Sequence, residues 1–508
     1  MEWSKALDLE LALKNVQSDV RGDWYRDPWD WCELSWLVPK HLDDFAIPRL
    51  NAAGVKQSAS LDVPKENFAI RPAVVLDPLD RLLYQALVDC LSVRLIGKLV
   101  RWAYGWRLPH GAPKRGVYAH NDEQWEEFRD HLGRLASYDT AALSTDVVSF
   151  FSSIPLDPLC EQILSLVDNE PAARLVDMVS SWYRSTGRGL PQRSAASASL
   201  AHMYLAPLDD IVGQFNTIPP GGAALVPEGR ALRWMDDIWV FGREQSSLRL
   251  AQIAIQDGMR DLALEMNFGK TRVLSGAELV DAVFQLEHSA VDGALRSPEP
   301  NEAPLDDLID RVLAAPETTE RTTIRFMTTR MREHDLFDRV PEITAQVSRL
   351  PHGADHLARL FRDSGVWADV QDGYVTYAKR WRMRLPWAVS QLATMFPSNK
   401  RVAPSLREFF AGALSSAGTP LPLITVAAQR LAAWDPKEAR VLIREAARQE
   451  SHPMTRRSLG LAAIHAGELK SVVRKLLQQN EENALILAML EDVDFNKKAV
   501  PVTADFAG

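Results

Sequence analysis

The sequence predicts an α+β domain followed by an all-helical region. Short β-branched or aromatic runs alternate with helical patterns between about residues 61 and 290. Beyond about Pro304 these runs stop, and apolar patterns of helix length follow one another between prolines. We therefore expect a helical, tryptophan-rich extension at 1–60, the mixed domain at 61–300 and an all-α domain at 301–508. No fixed-period repeat is visible, so a HEAT-like stack of helix pairs and an irregular helical domain both stay open for the last part.

The N-terminal extension holds Trp24, Trp29, Trp31 and Trp36 close to Pro28, and we expect most of these rings in a core. Its first five residues carry charges, and it lacks the apolar run of a secretory signal. Nowhere does the chain have the roughly 18 continuous apolar residues of a membrane span. We expect a cytoplasmic protein that does not insert into membranes.

The amino-acid composition argues against several classes of protein. With 508 residues, of which 46% are hydrophobic and 25% charged, the chain can bury several cores and is not of disordered type. Its three cysteines form no CxxC pair, which argues against a disulfide framework or a cysteine zinc site. The net charge of −9 is the opposite of the basic footprint of a nucleic-acid binder.

Local charge differs from that total. Two segments, 91–119 and 373–407, contain no acidic residue, and the second interleaves cations with aromatic rings. We predict that both contact phosphates and bases, while solvated helix faces remain the alternative. The cations predicted to bind nucleic acid are Arg94, Lys98, Arg101, Arg107, Lys114 and Arg115 in the first segment and Lys379, Arg380, Arg382 and Arg384 in the second.

The mixed domain contains four strand-like runs, at Ala73–Leu76, Leu143–Phe151, Leu232–Phe241 and Arg272–Leu274. Two of them contain carboxylates: Asp146 in the second, and Asp236 with Asp237 in the third. Carboxylates on neighbouring strands are the usual ligands of magnesium in phosphoryl or nucleotidyl transfer. A solvent-facing Asp-Asp turn and a helix N-cap at Asp146 are the structural alternatives. Between these runs, 187–201 reads as a Gly/Pro loop entering a helix of small residues.

Six segments resemble motifs of reverse transcriptases and follow one another along the chain in the order that the family has. Together they span about 65–271, roughly two-fifths of the chain. Asp146 with Phe150, Phe151 and Ile154 resembles the first palm motif, and Trp234 to Asp237 stands where the family usually has Tyr-x-Asp-Asp. Upstream, Arg71-Pro72 with Asp80-Arg81 and Gln85-Ala86 is similar to a finger motif of group II intron-like enzymes, and Tyr104 to Arg107 is similar to their YGFR segment. Gly189 to Gln192 with Ser197 and Leu200 is similar to the second palm motif. Leu264 to Thr271 is similar to the fourth.

The resemblance implies the fingers and palm of a right-hand polymerase, and DNA synthesis from dNTPs with two Mg²⁺ ions, for which Mn²⁺ is an alternative. It implies that Asp146, Asp236 and Asp237 are catalytic metal ligands and that Lys270 acts on the departing pyrophosphate. Substrate contacts would come from Lys65 and Arg71 to the triphosphate, Phe151 as a gate against the ribose 2′-hydroxyl, and Gln192 at the nascent base pair. The sequence departs from the family at Trp234 and Met235, and at Arg193, where the family usually has glycine.

A palm followed by about 200 helical residues is similar to the bacterial abortive-infection and unknown-group defence reverse transcriptases. Membership implies antiphage defence, with a noncoding RNA template and a DNA product, or with template-independent or protein-primed synthesis, for which Tyr374 and Tyr377 are candidate primers. A homo-oligomer stays open. The alternatives are a retron-like enzyme that copies a structured partner RNA, and a catalytically idle scaffold that binds nucleic acid.

Overall fold

The computed structural model describes residues 3–182, 187–216 and 230–492, which form a mixed α+β protein rich in helices. Its strands are β1 (Ala59–Pro64), β2 (Ile70–Val75), β3 (Ala103–Tyr104), β4 (Ala141–Thr145), β5 (Ala231–Trp234), β6 (Asp237–Gly242) and β7 (Arg272–Ser275). All four predicted strand runs therefore contain strands. The second prediction ran too far, because the backbone turns helical at Phe150.

The α-helices follow in chain order and are joined in several places by short 3₁₀ turns. They are α1 (Leu9–Val20), α2 (Cys32–Lys40), α3 (Leu42–Asn51), α4 (Pro78–Ile96), α5 (Asn121–Tyr138), α6 (Phe150–Ser153), α7 (Leu156–Leu166), α8 (Glu170–Trp182), α9 (Ala195–Tyr204), α10 (Ala206–Gly213), α11 (Gln245–Asp261), α12 (Gly276–Phe284), α13 (Leu286–Leu295), α14 (Ala303–Ala314), α15 (Arg321–Glu333), α16 (Val340–Ala345), α17 (Ala354–Asp363), α18 (Gln371–Trp381), α19 (Pro386–Ala393), α20 (Pro404–Ser415), α21 (Leu421–Trp434), α22 (Pro436–Gln449), α23 (Pro453–His465), α24 (Lys470–Leu477) and α25 (Ala484–Glu491).

Two compact units make up the chain. One comprises Met1–Asp19, Ala46–Val55 and Asp80–Arg296, and the other comprises Val20–Phe45, Lys56–Leu79 and Ser297–Gly508. The first 79 residues are thus divided between both units. The predicted domain boundaries at 60 and 300 stay a prediction.

The first unit is built on a five-stranded sheet in the order β3-β5-β6-β4-β7. β4 is antiparallel to both of its neighbours, β6 and β7, and β5 forms an antiparallel hairpin with β6. α11 packs on β4 and β6 through Leu248, Ala251, Ile255 and Met259, whose spacing places them on one buried helix face. The inner strands are accordingly mostly apolar, with Arg233 in β5 as a buried charged exception.

The second unit contains the antiparallel β1–β2 hairpin and the helices from α14 onward. From α20 to α24 each helix packs against the next, and α20 and α21 also contact α22 and α23, respectively. Contacts between near neighbours along the chain are typical of stacked helix pairs. They support a HEAT-like arrangement, which stays a prediction. Among the described residues, no helix is both long and apolar enough to cross a membrane.

A buried charge cluster lies inside the second unit. Arg457 on α23 donates two hydrogen bonds of 2.9 Å to Asp27 and two, of 2.5 and 2.8 Å, to Glu33. Burial alone would lower the pKa of Arg457, but the two carboxylates raise it well above its usual value. The guanidinium also lies over the ring of Trp31, which is buried, as predicted for most of the N-terminal tryptophans. Arg457 therefore joins the segment that holds Asp27 and Glu33 to α23.

Candidate active site

The five-stranded sheet brings three aspartates to one end of adjacent strands. Thr145, the last residue of β4, pairs with Ile238 of β6. Asp146 therefore follows β4 directly beside Asp237, the first residue of β6, while Asp236 lies in the turn between β5 and β6. The charges of Asp146 and Asp237 both act on the Asp236 carboxyl, so we treat the three side chains as one aspartate cluster.

The turn that carries Asp236 has an unusual backbone. Met235 and Asp236 connect the paired residues Trp234 and Asp237, and Met235 has φ +54°, a left-handed value that is uncommon outside glycine. The Met235 N–H donates to the carbonyl of Tyr104 at 3.2 Å, and its own carbonyl accepts a hydrogen bond of 2.8 Å from Arg233. Surrounding hydrogen bonds thus hold the turn in a conformation that costs free energy.

Arg233 is the centre of a buried network behind this turn, which the sequence analysis missed. The guanidinium donates to both carboxylate oxygens of Asp209, at 2.6 and 2.7 Å, and to Nδ1 of His202 at 2.9 Å. Since Nδ1 accepts, the tautomer of His202 carries its proton on Nε2 and donates it to the Gly105 carbonyl. Burial and the charge of Arg233 lower the pKa of His202 to about 3, so the ring is neutral at physiological pH.

Lys270 compensates only part of the negative charge of the aspartate cluster. Oδ1 of Asp146 is buried and has no hydrogen-bond partner among the described residues, and Oδ2 lies 3.2 Å from Nζ of Lys270. Burial, followed by the charges of Asp237 and Asp146, raises the pKa of Asp236 to about 7. An orphaned carboxylate oxygen beside a second carboxyl fits a divalent cation, which prefers oxygen ligands.

No group of three or more His, Cys, Asp and Glu side chains in the described ranges already has the arrangement of a metal site. The three aspartates are therefore adjacent without being preassembled around one point. A metal centre here is part of our proposal below.

The raised pKa of Asp236 predicts how stability depends on pH. Because the folded state binds this proton more tightly than the unfolded state, the free energy of unfolding of the metal-free protein should fall as pH rises from about 4 to about 7. We expect a contribution of roughly 2 kcal/mol, about half of the full shift, since the carboxyl is partly solvated. Excess Mg²⁺ should restore this stability at about pH 8.

Melting temperatures at about pH 5 and pH 8, with EDTA or with Mg²⁺, measure this effect. Asp236→Asn should be less sensitive to pH and should gain less from Mg²⁺. Identical pH and Mg²⁺ responses in the two proteins would contradict the electrostatic account of the cluster.

Phe151 and Gln192 lie on segments that contact each other. The carbonyl of Phe151 accepts a hydrogen bond of 2.7 Å from the Leu190 N–H, and that of Ile154 accepts one of 2.8 Å from the Gly189 N–H. The rings of Phe151 and Phe150 pack with their centroids 5.4 Å apart. Phe151 and Gln192 are both half-buried, so each has surface left for a ligand.

Arg193 is exposed and has φ +60°, the backbone region that favours glycine. This explains in physical terms why a glycine would suit the position, and why the departure from the family pattern strains the loop. The Arg193 carbonyl accepts a hydrogen bond from Arg81 at 3.3 Å, and Ser194 then caps α9.

Lys65 and Arg71, the predicted triphosphate contacts, belong to the second unit. Arg71 lies on β2, with its guanidinium 5.5 Å from the centre of the Trp24 ring. Lys65 follows β1, and its N–H donates to the carbonyl of Ala69 at 2.7 Å. Both side chains are half-buried.

The cations of the first basic segment predicted to bind nucleic acid are exposed, with one exception. Arg94, Lys98, Arg101, Lys114 and Arg115 are exposed, whereas Arg107 is buried, pairs with Glu127 and lies 4.5 Å from the centre of the Tyr104 ring. A guanidinium committed to a carboxylate and an aromatic face is not available to a nucleic-acid phosphate. We therefore leave Arg107 out of the proposed interface.

In the second basic segment Lys379, Arg380 and Arg384 are exposed and Arg382 is half-buried. Tyr374 and Tyr377 are buried, and the Tyr374 hydroxyl donates to the Val389 carbonyl at 3.0 Å. Burial raises the pKa of both phenols and keeps their hydroxyls from solvent. Neither tyrosine is placed to act as a primer, which corrects that expectation.

Comparison with known families bears directly on this site. The family model described as "Reverse transcriptase (RNA-dependent DNA polymerase)" matches residues 63–330, more than half of the chain. The match contains the whole five-stranded sheet and the three aspartates, and it ends within α15. No curated protein matches the chain.

Proposed function

Because the chain belongs to the reverse transcriptase family, and is thus an RNA-directed DNA polymerase, we propose that it joins deoxynucleotides at the cluster of Asp146, Asp236 and Asp237. The observation that carries this proposal is the orphaned Asp146 oxygen beside the Asp236 carboxyl, whose pKa is raised to about 7 by burial and by its acidic neighbours. Asp146 and Asp236 would hold two Mg²⁺ ions, or Mn²⁺ in their place, with Asp237 as a weaker ligand.

Bound divalent cations supply stabilisation of the attacking and leaving oxygens of an in-line transfer. The protein's own groups would orient the reactants. Lys270, 3.2 Å from Asp146 and largely exposed, can donate a proton to the departing pyrophosphate. Gln192 would contact the nascent base pair.

Selection of deoxynucleotides is proposed to depend on the ring of Phe151, packed on Phe150. Phe151→Ala should lower discrimination against ribonucleotides about ten- to a hundredfold, because the side chain that would contact a 2′-hydroxyl is removed. The measurement is the ratio of kcat/KM for dNTP and rNTP incorporation. Phe151→Tyr, which keeps the ring, is the matched control, and unchanged discrimination in the alanine variant would exclude the gate.

The proposed activity is tested with purified protein and radiolabelled deoxynucleotides, with and without RNA that copurifies. We expect a DNA product that requires Mg²⁺, and none from Asp236→Asn. Ribonuclease treatment before synthesis and protease treatment of the product separate RNA-templated, template-independent and protein-primed modes. Equal product from the Asp236→Asn protein would overturn the assignment.

We propose further that the enzyme acts in antiphage defence. The support is the order of its parts, a reverse transcriptase domain followed by a helical region, which is similar to the defence-associated members. Loss of phage protection in cells that carry Asp236→Asn would agree with this role, and full protection would exclude a role that needs synthesis. A retron-like enzyme is distinguished by one copurified RNA of defined sequence joined to a branched DNA product.

A further inference from the structure

Six arginines of the second unit form a cluster that neither basic segment includes. They are Arg26, Arg321, Arg325, Arg332, Arg359 and Arg362, hereafter the arginine cluster. The charges of five of them act on one another or on the same carboxylates, and the charge of Arg325 acts on His356, as those of Arg321 and Arg359 do. Helix periodicity brings them together. Arg321, Arg325 and Arg332 recur on one face of α15, which packs against α17, where Arg359 and Arg362 share one face with Asp355.

The carboxylates near the cluster are already committed. Asp355 accepts hydrogen bonds of 2.8 and 2.7 Å from Arg321 and lies 3.7 Å from Arg26. Asp363 pairs with Arg332 at 2.6 Å and Arg362 at 3.3 Å. Asp23, the remaining acid that acts on Arg26, accepts the N–H of Trp24. Asp355 and Asp363 thus each pair with two arginines of the cluster.

The Arg359 guanidinium is only partly compensated, by the charge of Asp355. Its Nε is buried and has no hydrogen-bond partner in the described part of the chain. Burial, and then the charge of Arg26, lower the pKa of Arg359 to about 10, and Arg332 and Arg362 act in the same direction. Arg339, in the same unit, is the contrast: Glu342 and Asp310 raise its pKa well above the usual value.

The cluster has the form of a strip. Arg321 and Arg332 are eleven positions apart on α15, which corresponds to about 16 Å along the helix axis. Arg325 is exposed, and the other members are half-buried. Such a strip is long enough to follow several phosphates of one strand rather than to enclose a single ion.

We propose that the arginine cluster binds consecutive phosphates of a nucleic-acid strand, with Arg359 as the central contact. Guanidinium groups match phosphate oxygens in geometry and retain their charge, so an anionic backbone would supply the negative charge that the half-buried Arg359 side chain lacks. The choice of nucleic acid as the ligand rests on the proposed polymerase function.

The test is fluorescence anisotropy with single-stranded RNA and DNA oligonucleotides, in EDTA and without dNTPs, so that polymerase activity plays no part. Arg359→Gln should weaken binding about tenfold, because a charge-assisted hydrogen bond is lost. The slope of log affinity against log salt should become shallower by about one in Arg359→Gln and by about two in the double variant Arg325→Gln/Arg359→Gln. Arg339→Gln is the charge-matched control and should bind as the unmodified protein does.

Melting temperatures separate this role from a structural one. Because the substitution removes a cation surrounded by like charges, Arg359→Gln should melt at the same temperature as the unmodified protein or higher. A fall in melting temperature large enough to explain the weaker binding would overturn the proposal. Unchanged affinity and salt slope would also overturn it. A third contradicting result is a rise in melting temperature with inorganic phosphate while the substitutions leave oligonucleotide binding unchanged. That result would indicate a site for a free anion. DNA synthesis, assayed separately, is lost in Asp236→Asn whether or not this proposal holds.

Discussion

Replacing Asp236 or Asp146 with asparagine is expected to reduce DNA synthesis by at least about a thousandfold, because stabilisation of transition-state charge by a bound cation contributes several kcal/mol. Asparagine keeps the shape of the side chain and removes its charge. Asp237→Asn should lose less, about ten- to a hundredfold, since this side chain is exposed and begins a strand instead of occupying the turn.

Steady-state incorporation of labelled dNTPs measures the three variants, with the melting temperature as a check on folding. Asp261→Asn is a matched control, because Asp261 is an exposed carboxylate at the end of α11 in the same unit. It should retain full activity. Synthesis by Asp236→Asn within tenfold of the unmodified rate would contradict the assignment of this cluster as the catalytic site.

Arg233→Met is expected to lower the free energy of unfolding by about 3–5 kcal/mol, because it leaves the carboxylate of Asp209 buried without a cation. The double variant Arg233→Met/Asp209→Leu removes both charges and should recover much of this loss. Its DNA synthesis should stay low, since the hydrogen bond from Arg233 to the Met235 carbonyl is still missing and the turn that carries Asp236 is less constrained.

Urea unfolding of the two single variants and the double variant measures the coupling between the two side chains. Arg243→Met, which removes an exposed guanidinium in the same unit, is the control and should cost less than about 0.5 kcal/mol. Additive losses in the double variant would show that Arg233 and Asp209 do not act as a pair. Full activity in the stable double variant would show that the network does not position the turn.

The adjacent placement of Asp146, Asp236 and Asp237 could be predicted from sequence because the relevant information is local. Asp146 and the Asp236-Asp237 pair each interrupt or end an apolar run, and their spacing from Phe151 and Lys270 follows a family pattern. The pairing of β4 with β6 is then sufficient to place the two segments side by side. The match of the family model to residues 63–330 confirms the class of enzyme.

The surroundings of the site could not be predicted in this way. Arg233 within an apolar strand was a signal of a buried partner, but the partners Asp209 and His202 are set by how α9 and α10 pack, which no local pattern encodes. The exposure of a cation is equally non-local. The sequence predicts that Arg107 is a nucleic-acid-binding cation, but in the structure it is buried and paired with Glu127.

The bond between Arg457 and the acids Asp27 and Glu33 has a consequence for synthesis on the ribosome. More than four hundred residues separate the two sides, so both carboxylates are made long before their cation emerges. Contacts of such sequence separation close late in folding. The nascent second unit must therefore wait for α23, and a chain that terminates before residue 457 leaves two acids without their counterion, an intermediate suited to capture by chaperones or proteases.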